Sequence, residues 1–438
     1  MAAHLWIEEQ GGALQENSTI SFPRRPLPPL AHVTQLLTQE HIADVRYETQ
    51  QRLLQSGFLH SLKPGAQIAI TAGSRGMGGF VDLVAGIVDA VKASGGRPFV
   101  IPAMGSHGGA TEAGQTEILH RLGVTEETIG APIRATMQTH ALGTSDTGAI
   151  AHLDSVAATA DGIIVLARTK THPENTAGVA SGLLKMVTVG LGKQAGAQEA
   201  HTHGLWQSVN AVPHLTMAHS KILCGVAVVE NGFRQPVIIN VVPPHYESFH
   251  DSDEQLLEAA KPHVARIPFQ QLDLLIVDEL GKNISGTGMD LNVVGNWRMS
   301  GGPHEPDYRR IAVLSLTRAS LGNGLGIGLA DFTTQRFVDE FDPAVTYVNL
   351  LTATEPDAMN TREGPLPLAL KSDREAMEVA LFTALASERP RVCRIRNTAM
   401  LDEIWVSEAL LEEVNQNSGL RVSSGIAPLE FDQKGNLF

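Results

Sequence analysis

The stretch Gln67-Ile68-Ala69-Ile70-Thr71-Ala72-Gly73-Ser74-Arg75-Gly76-Met77-Gly78-Gly79-Phe80 decides the fold. Its first five residues form a short apolar run that suits a buried strand. Glycine and serine follow, and from Phe80 to Ala93 the apolar residues recur at helical spacing. The pattern then repeats. Arg97–Pro102 predicts the next strand and Thr111–Leu122 the next helix, with further strands over Gly162–Leu166, Ile222–Val229, Leu274–Val277 and Ile311–Leu316. Strands alternating with amphipathic helices mean βαβ units and a mainly parallel sheet, so the fold class is α/β.

Toward the N-terminus, Thr38–Leu54 reads as a helix. The segment before it, Phe22-Pro23-Arg24-Arg25-Pro26-Leu27-Pro28-Pro29-Leu30, is an extended arm, because proline fixes φ and donates no amide hydrogen. A chain of 438 residues is long enough for two cores. The break falls near Ile267-Pro268, between an expected helix over Glu254–Val264 and the buried run Leu274-Leu275-Ile276-Val277. Residues 1–267 are expected to form an N-terminal α/β domain and residues 268–438 a C-terminal one, with the active site in the cleft between them.

The formal net charge is -14, from 47 acidic and 33 basic side chains, and such a surface repels phosphate backbones. Nucleic acid is not an expected partner. No apolar stretch approaches the ~20 residues a membrane helix needs, and Glu8 and Glu9 stand where a signal peptide requires basic residues. The cytoplasm is the expected compartment. Cys224 and Cys393 lie singly in strand-like stretches, without the paired spacing of a disulfide or thiolate metal site, and are expected as reduced core thiols. The sequence does not set the oligomeric state.

In open α/β sheets ligands bind beyond the carboxyl ends of the strands, and four places there stand out. Thr71 to Gly79 is a glycine-rich turn lacking the spacing of a P-loop or a dinucleotide fingerprint. Arg75 at its centre suits a carboxylate or phosphate, since guanidinium grips either with two parallel bonds. Gly105-Ser106-His107-Gly108-Gly109 sets a histidine among glycines, with no apolar socket to make it core filling; it suits a base or an anion donor. Arg168-Thr169-Lys170-Thr171-His172 leads to Gly182-Leu183-Leu184-Lys185-Met186. In apolar surroundings Lys185 needs a partner or a covalent use, unless it snorkels to the surface. In Glu199-Ala200-His201-Thr202-His203 the two histidines cannot share a helix face, but in a loop either could bind metal. These residues leave three readings open: an enzyme that uses Lys185 covalently, a metal-dependent hydrolase or lyase using His107, His201 and His203 with a carboxylate on a small anionic substrate, and a phosphate-binding module built on the glycine-rich turn.

The ordered set Ser74-Arg75, Gly105-Ser106-His107, His172, Ser181-Gly182-Leu183-Leu184-Lys185 and His201 resembles the nickel-dependent lactate racemase family, from about Lys63 to Asp290. That resemblance implies a racemase or epimerase inverting C2 of a 2-hydroxy acid by hydride transfer to a nickel-pincer nucleotide. Lys185 would carry the cofactor covalently through a thioamide, and His201 would complete the nickel coordination. His107 and His172 would be the acid/base pair, one for each face of the substrate. Arg75 would hold the carboxylate, and Lys282, in Gly281-Lys282-Asn283, would reach substrate from the second domain. Partners implied are a small 2-hydroxy acid and the enzymes that make the cofactor. The chain departs from the family in a longer stretch between His172 and Lys185 and in Leu183-Leu184, where smaller residues are usual. Lactate, malate and an aldonate such as gluconate all stay open, and Lys170, Glu174, Asn175 and Asn283 offer partners for extra hydroxyls.

Overall fold

The computed structural model describes residues 22–74, 76–171, 180–352 and 360–437. Two large sheets with helices on their faces, beside two small two-stranded ones, make a mixed α/β architecture, as the alternation of patterns predicts. The first has five strands in the order Pro236–Val242, Ile222–Glu230, Gly162–Arg168, Gln67–Ala72, Arg97–Pro102. All neighbours are parallel except the Pro236–Val242 edge strand. Along the central strands successive side chains enter opposite cores. Ile68 and Ile70 pack with Leu83, Ile87 and Val91 of the helix Phe80–Ala93, while Ala69 faces Val187 and Leu184 on the other side. Apolar residues on both faces are what a parallel sheet covered twice by helices requires.

The second sheet has eight strands in the order Leu368–Leu370, Phe332–Thr334, Asp307–Leu316, Gln271–Leu280, Val392–Asn397, Met400–Ser407, Leu30–Gln35, Leu420–Val422. From Leu368–Leu370 to Val392–Asn397 every pairing is parallel, and the last three strands join antiparallel.

Three expectations change. Leu30–Gln35 is a strand paired with Met400–Ser407, and the arm before it is tied to the same half: Arg24 meets Glu375 at 2.8 Å and Arg25 donates to Ala386 O at 2.6 Å. Residues 22–35 therefore sit with the C-terminal sheet, not with the domain to which a division at residue 267 assigns them. The helix expected over Glu254–Val264 spans Tyr246–Ala260, and a 3-10 turn, Lys261–His263, follows it. Pro262 cannot donate to an α-helical ladder, which accounts for the stop. The helix expected over Thr38–Leu54 starts only at Val45, where Asp44 caps it by accepting from Tyr47 N at 2.9 Å.

Cys224 and Cys393 are both buried and free. Burial pushes the Cys224 thiol up to about 12 and raises Cys393 as well, which keeps both protonated. Among the described residues no helix is long and apolar enough to cross a membrane.

Candidate active site

A cavity of about 240 Å³ opens where the carboxyl ends of Gln67–Ala72, Arg97–Pro102 and Gly162–Arg168 face the second half of the chain. Each strand runs into a loop that lines it: Ser74 after the first, Ser106 and His107 after the second, Lys170 after the third. Lys282, Thr287 and Glu363 close it from the second half. The cavity thus lies between the two sheets, beyond the strand ends, where open α/β folds bind ligands.

Of the six residues singled out by sequence, His107, Lys185, His201 and Lys282 line this one cavity. Arg75 and His172 lie outside the described residues, as do Glu174 and Asn175. His107 is half-buried, and its Nδ1 is hydrogen-bonded to Ser74 Oγ, which joins the first two loops. Lys185 ends the short helix Leu183–Lys185 and is followed by a π-helical turn, Met186–Gly190, in which Leu191 N donates to Met186 O at 2.9 Å. Such single π turns recur at functional sites because they re-aim side chains. The Lys185 ammonium stands 5.6 Å from the centre of the Trp206 ring, a cation–π distance.

The start of that helix is held from behind. Asp253, 2% exposed on the helix Tyr246–Ala260, accepts from Leu183 N at 3.0 Å and Leu184 N at 3.1 Å. A Cβ at Gly182 would stand 2.1 Å from Asp253 Oδ1, so the close approach needs glycine there. Burial pushes the Asp253 carboxyl up to about 6, against the two amide hydrogen bonds that favour its charged form.

His201 lies on the last turn of the helix Lys193–Thr202, not in a loop, and shares its cavity face with Ala197 four residues earlier. His203 caps that helix and turns away: its Nδ1 is 3.7 Å from Glu199 Oε2 and 3.1 Å from Glu199 O. The three-histidine set considered for a protein-only metal centre is therefore not assembled. Among the described residues no three His, Cys, Asp or Glu side chains converge as metal ligands.

On the second half, Lys282 follows the strand Gln271–Leu280; its backbone N donates to Ser320 Oγ at 2.8 Å and its ammonium to Gly286 O. Lys170 bridges the halves, 3.1 Å from Asp290 Oδ2. Burial works to raise the Asp290 carboxyl, but Lys170 and the hydrogen bonds from Asn292 outweigh it and hold the group below its ordinary value. Asn283 accepts from Thr317 Oγ1 at 2.6 Å and does not line the cavity.

Several supporting residues were not singled out by sequence. Lys193, Gln115 and Asp154 are fully buried behind the His107 loop, and Asn349 and Glu363 complete the far wall. Lys193 sits in Gly-Leu-Gly-Lys-Gln and reads as an ordinary helix-start lysine, with partners far away in sequence.

No curated protein matches the chain. Among solved structures, the lactate racemase apoprotein from Thermoanaerobacterium thermosaccharolyticum is similar, with a TM-score of 0.42 and 14% sequence identity over 92% of this chain and 94% of that one. A family model described as "Domain of unknown function (DUF362)" matches residues 74–294. That span runs from Ser74 through His107, Lys185, His201 and Lys282 and takes in half of the 438 residues: the chain belongs to the DUF362 family.

Proposed function

We propose that the protein is an isomerase, a racemase or epimerase that inverts C2 of a small 2-hydroxy acid with a nickel-pincer nucleotide as cofactor. The observation that carries this reading is the convergence of His107, Lys185, His201 and Lys282, contributed by both halves, on one cavity. The donor set fits the cofactor. The Lys185 amine and the His201 imidazole line the same cavity, the first able to form a covalent link to an organic group and the second able to ligate a metal. Lys185 would hold that group covalently through its amine, and His201 would supply the protein's nickel ligand. When bound, it supplies the acceptor for the hydrogen that leaves C2 with its electron pair.

The chain's own residues do the rest. The Ser74 hydroxyl fixes the His107 ring through Nδ1, which assigns proton exchange with the C2 hydroxyl to Nε2. For one enantiomer His107 would take that proton as C2 becomes planar, and in the reverse direction it would give the proton back to the same enantiomer. On the resemblance, His172 serves the opposite face and Arg75 the carboxylate. Lys282 offers a second cation to the carboxylate from the far wall. Enclosure between the two halves excludes water and retains the planar 2-oxo acid until inversion is complete.

The test is to load the protein by co-production with cofactor-making enzymes and to incubate it with single enantiomers of lactate, malate and gluconate. Chiral chromatography is expected to show one of them converted to its C2 epimer. Nickel-loaded protein that leaves a broad panel of 2-hydroxy acids unchanged contradicts the proposal.

A further inference from the structure

Behind the cavity lies a further lysine that the proposed reaction does not use. Lys193 is 0% exposed, and its backbone φ is +54°, a left-handed conformation that strains a non-glycine residue. A fully buried cation in a strained backbone is retained only where its surroundings over-determine it. Here they do. The ammonium donates to Pro102 O and to Gln115 Oε1 at 3.2 Å, and pairs with Asp154 Oδ2 at 3.1 Å. The other Asp154 oxygen accepts from Val156 N at 2.8 Å and Ala157 N at 2.9 Å, so the carboxylate is itself anchored.

The consequence runs through Gln115. An ammonium has no acceptor, so it must face the amide oxygen of Gln115, and the amide nitrogen then points the other way. That nitrogen donates to Gly105 O at 2.8 Å and His107 O at 3.3 Å, clamping both ends of Gly105-Ser106-His107. The same loop is pressed against the helix Glu112–Arg121, where a Cβ at Gly114 would stand 1.9 Å from Gly108 O. Lys193 also begins the helix that carries His201, and Pro102 ends the strand that leads to His107. One buried ammonium therefore joins the supports of two cavity histidines.

We propose that Lys193 is a positioning residue which, through the amide of Gln115, sets where His107 stands relative to His201 across the cavity. Burial lowers the Lys193 ammonium from its ordinary value while Asp154 works to keep it charged, so the node depends on that carboxylate. The inference deepens the proposed function in part, since its kinetic consequence rests on His107 acting on substrate.

Gln115→Leu cuts the clamp and leaves the Lys193–Asp154 pair in place, so it is the first variant to make. In histidine-labelled protein, the His107 imidazole signal, assigned by its loss in His107→Gln, should shift or broaden in Gln115→Leu while melting stays within a few degrees of the parent. Lys193→Met should move the same signal in the same direction. On an accepted 2-hydroxy acid, kcat should fall about 100-fold in Gln115→Leu with KM within about twofold, the scale of a misplaced reacting group. The double variant should be no worse than Lys193→Met, because both act along one chain. An unmoved His107 signal in folded Gln115→Leu overturns the positioning role even if Lys193→Met fails to fold. A moved signal in a protein that turns over no 2-hydroxy acid keeps the positioning role and removes the proposed reaction instead.

Discussion

The two walls of the cavity are built differently. On the first-half wall, the groups proposed to do chemistry hang from backbone that buried polar side chains brace from behind: Gln115 and Lys193 behind His107, Asp253 behind Lys185. On the second-half wall, the Lys282 backbone is also held from a separate element, by Ser320 Oγ, but its ammonium donates to a carbonyl four residues on in its own loop. A brace from a separate element fixes a side chain to within the tolerance that bond-making demands, whereas a local loop contact sets only approximate reach. On the proposed function, the difference would put chemistry on the first half, and carboxylate recognition and enclosure on the second.

The assignment breaks most easily in kinetics. His107→Ala is expected to lower kcat about 100-fold or more, the usual range for a lost acid/base group, with little change in KM. Lys282→Ala is expected to do the reverse, raising KM about tenfold, the scale of one charge-assisted hydrogen bond to a carboxylate, with kcat nearly kept. Steady-state assays of the two variants in both directions check this. If Lys282→Ala loses kcat as steeply as His107→Ala, the two walls share the chemistry and the comparison fails.

A smaller effect concerns the brace under Lys185. The Asp253 carboxyl is raised to about 6 in the fold, so between its unfolded value and about 6 the native state binds the extra proton. Stability from this group is therefore fully present at low pH and is lost as pH rises through about 6. Asp253→Asn, which cannot ionise, should flatten that slope. Thermal melts between pH 4 and 8 should show the parent losing of order 2–4 °C relative to the variant as pH rises. Parallel melting curves would mean that Asp253 is ionised throughout.

The smallest effect belongs to the bridge between the walls. Lys170→Met removes the partner of Asp290, and because both side chains are about a fifth exposed, the loss should be only about 1 kcal/mol. Asp290 is held below its ordinary value, so the contribution is present above the unfolded carboxylate range and lost as pH falls through the folded value. Chemical denaturation at pH 7 and pH 3 should show the difference between parent and variant shrinking at the lower pH. An equal difference at both would show that the ion pair contributes nothing.

What the sequence reveals follows from distance along the chain. The helix Phe80–Ala93 and the strand Arg97–Pro102 were bounded correctly because their signals, apolar spacing and flanking glycines, are local. His107 and Lys185 could be singled out because the loops after parallel strands and small-residue surroundings mark them, His201 because a second histidine stands beside it in a short run, and Lys282 only through the family resemblance. The strand Leu30–Gln35 was hidden because its partner, Met400–Ser407, is far down the chain, and a proline-rich lead-in reads as an arm. Lys193 was hidden for the same reason. Nothing near Gly192-Lys193-Gln194 discloses that Asp154 and Gln115 wait behind it, and only tertiary packing turns a helix-start lysine into a buried node. Conversely, His203 was as plausible a ligand as His201 until helix geometry turned it toward Glu199.

The central claim is that Lys185 carries a nickel cofactor whose remaining protein ligand is His201. Intact-mass measurement and nickel analysis of protein co-produced with cofactor-making enzymes test it most directly, with Lys185→Ala prepared in parallel. The account predicts a covalent mass increment that maps to Lys185 and stoichiometric nickel in the parent, and neither in the variant. An unmodified parent, or equal nickel in both proteins after dialysis, would contradict it.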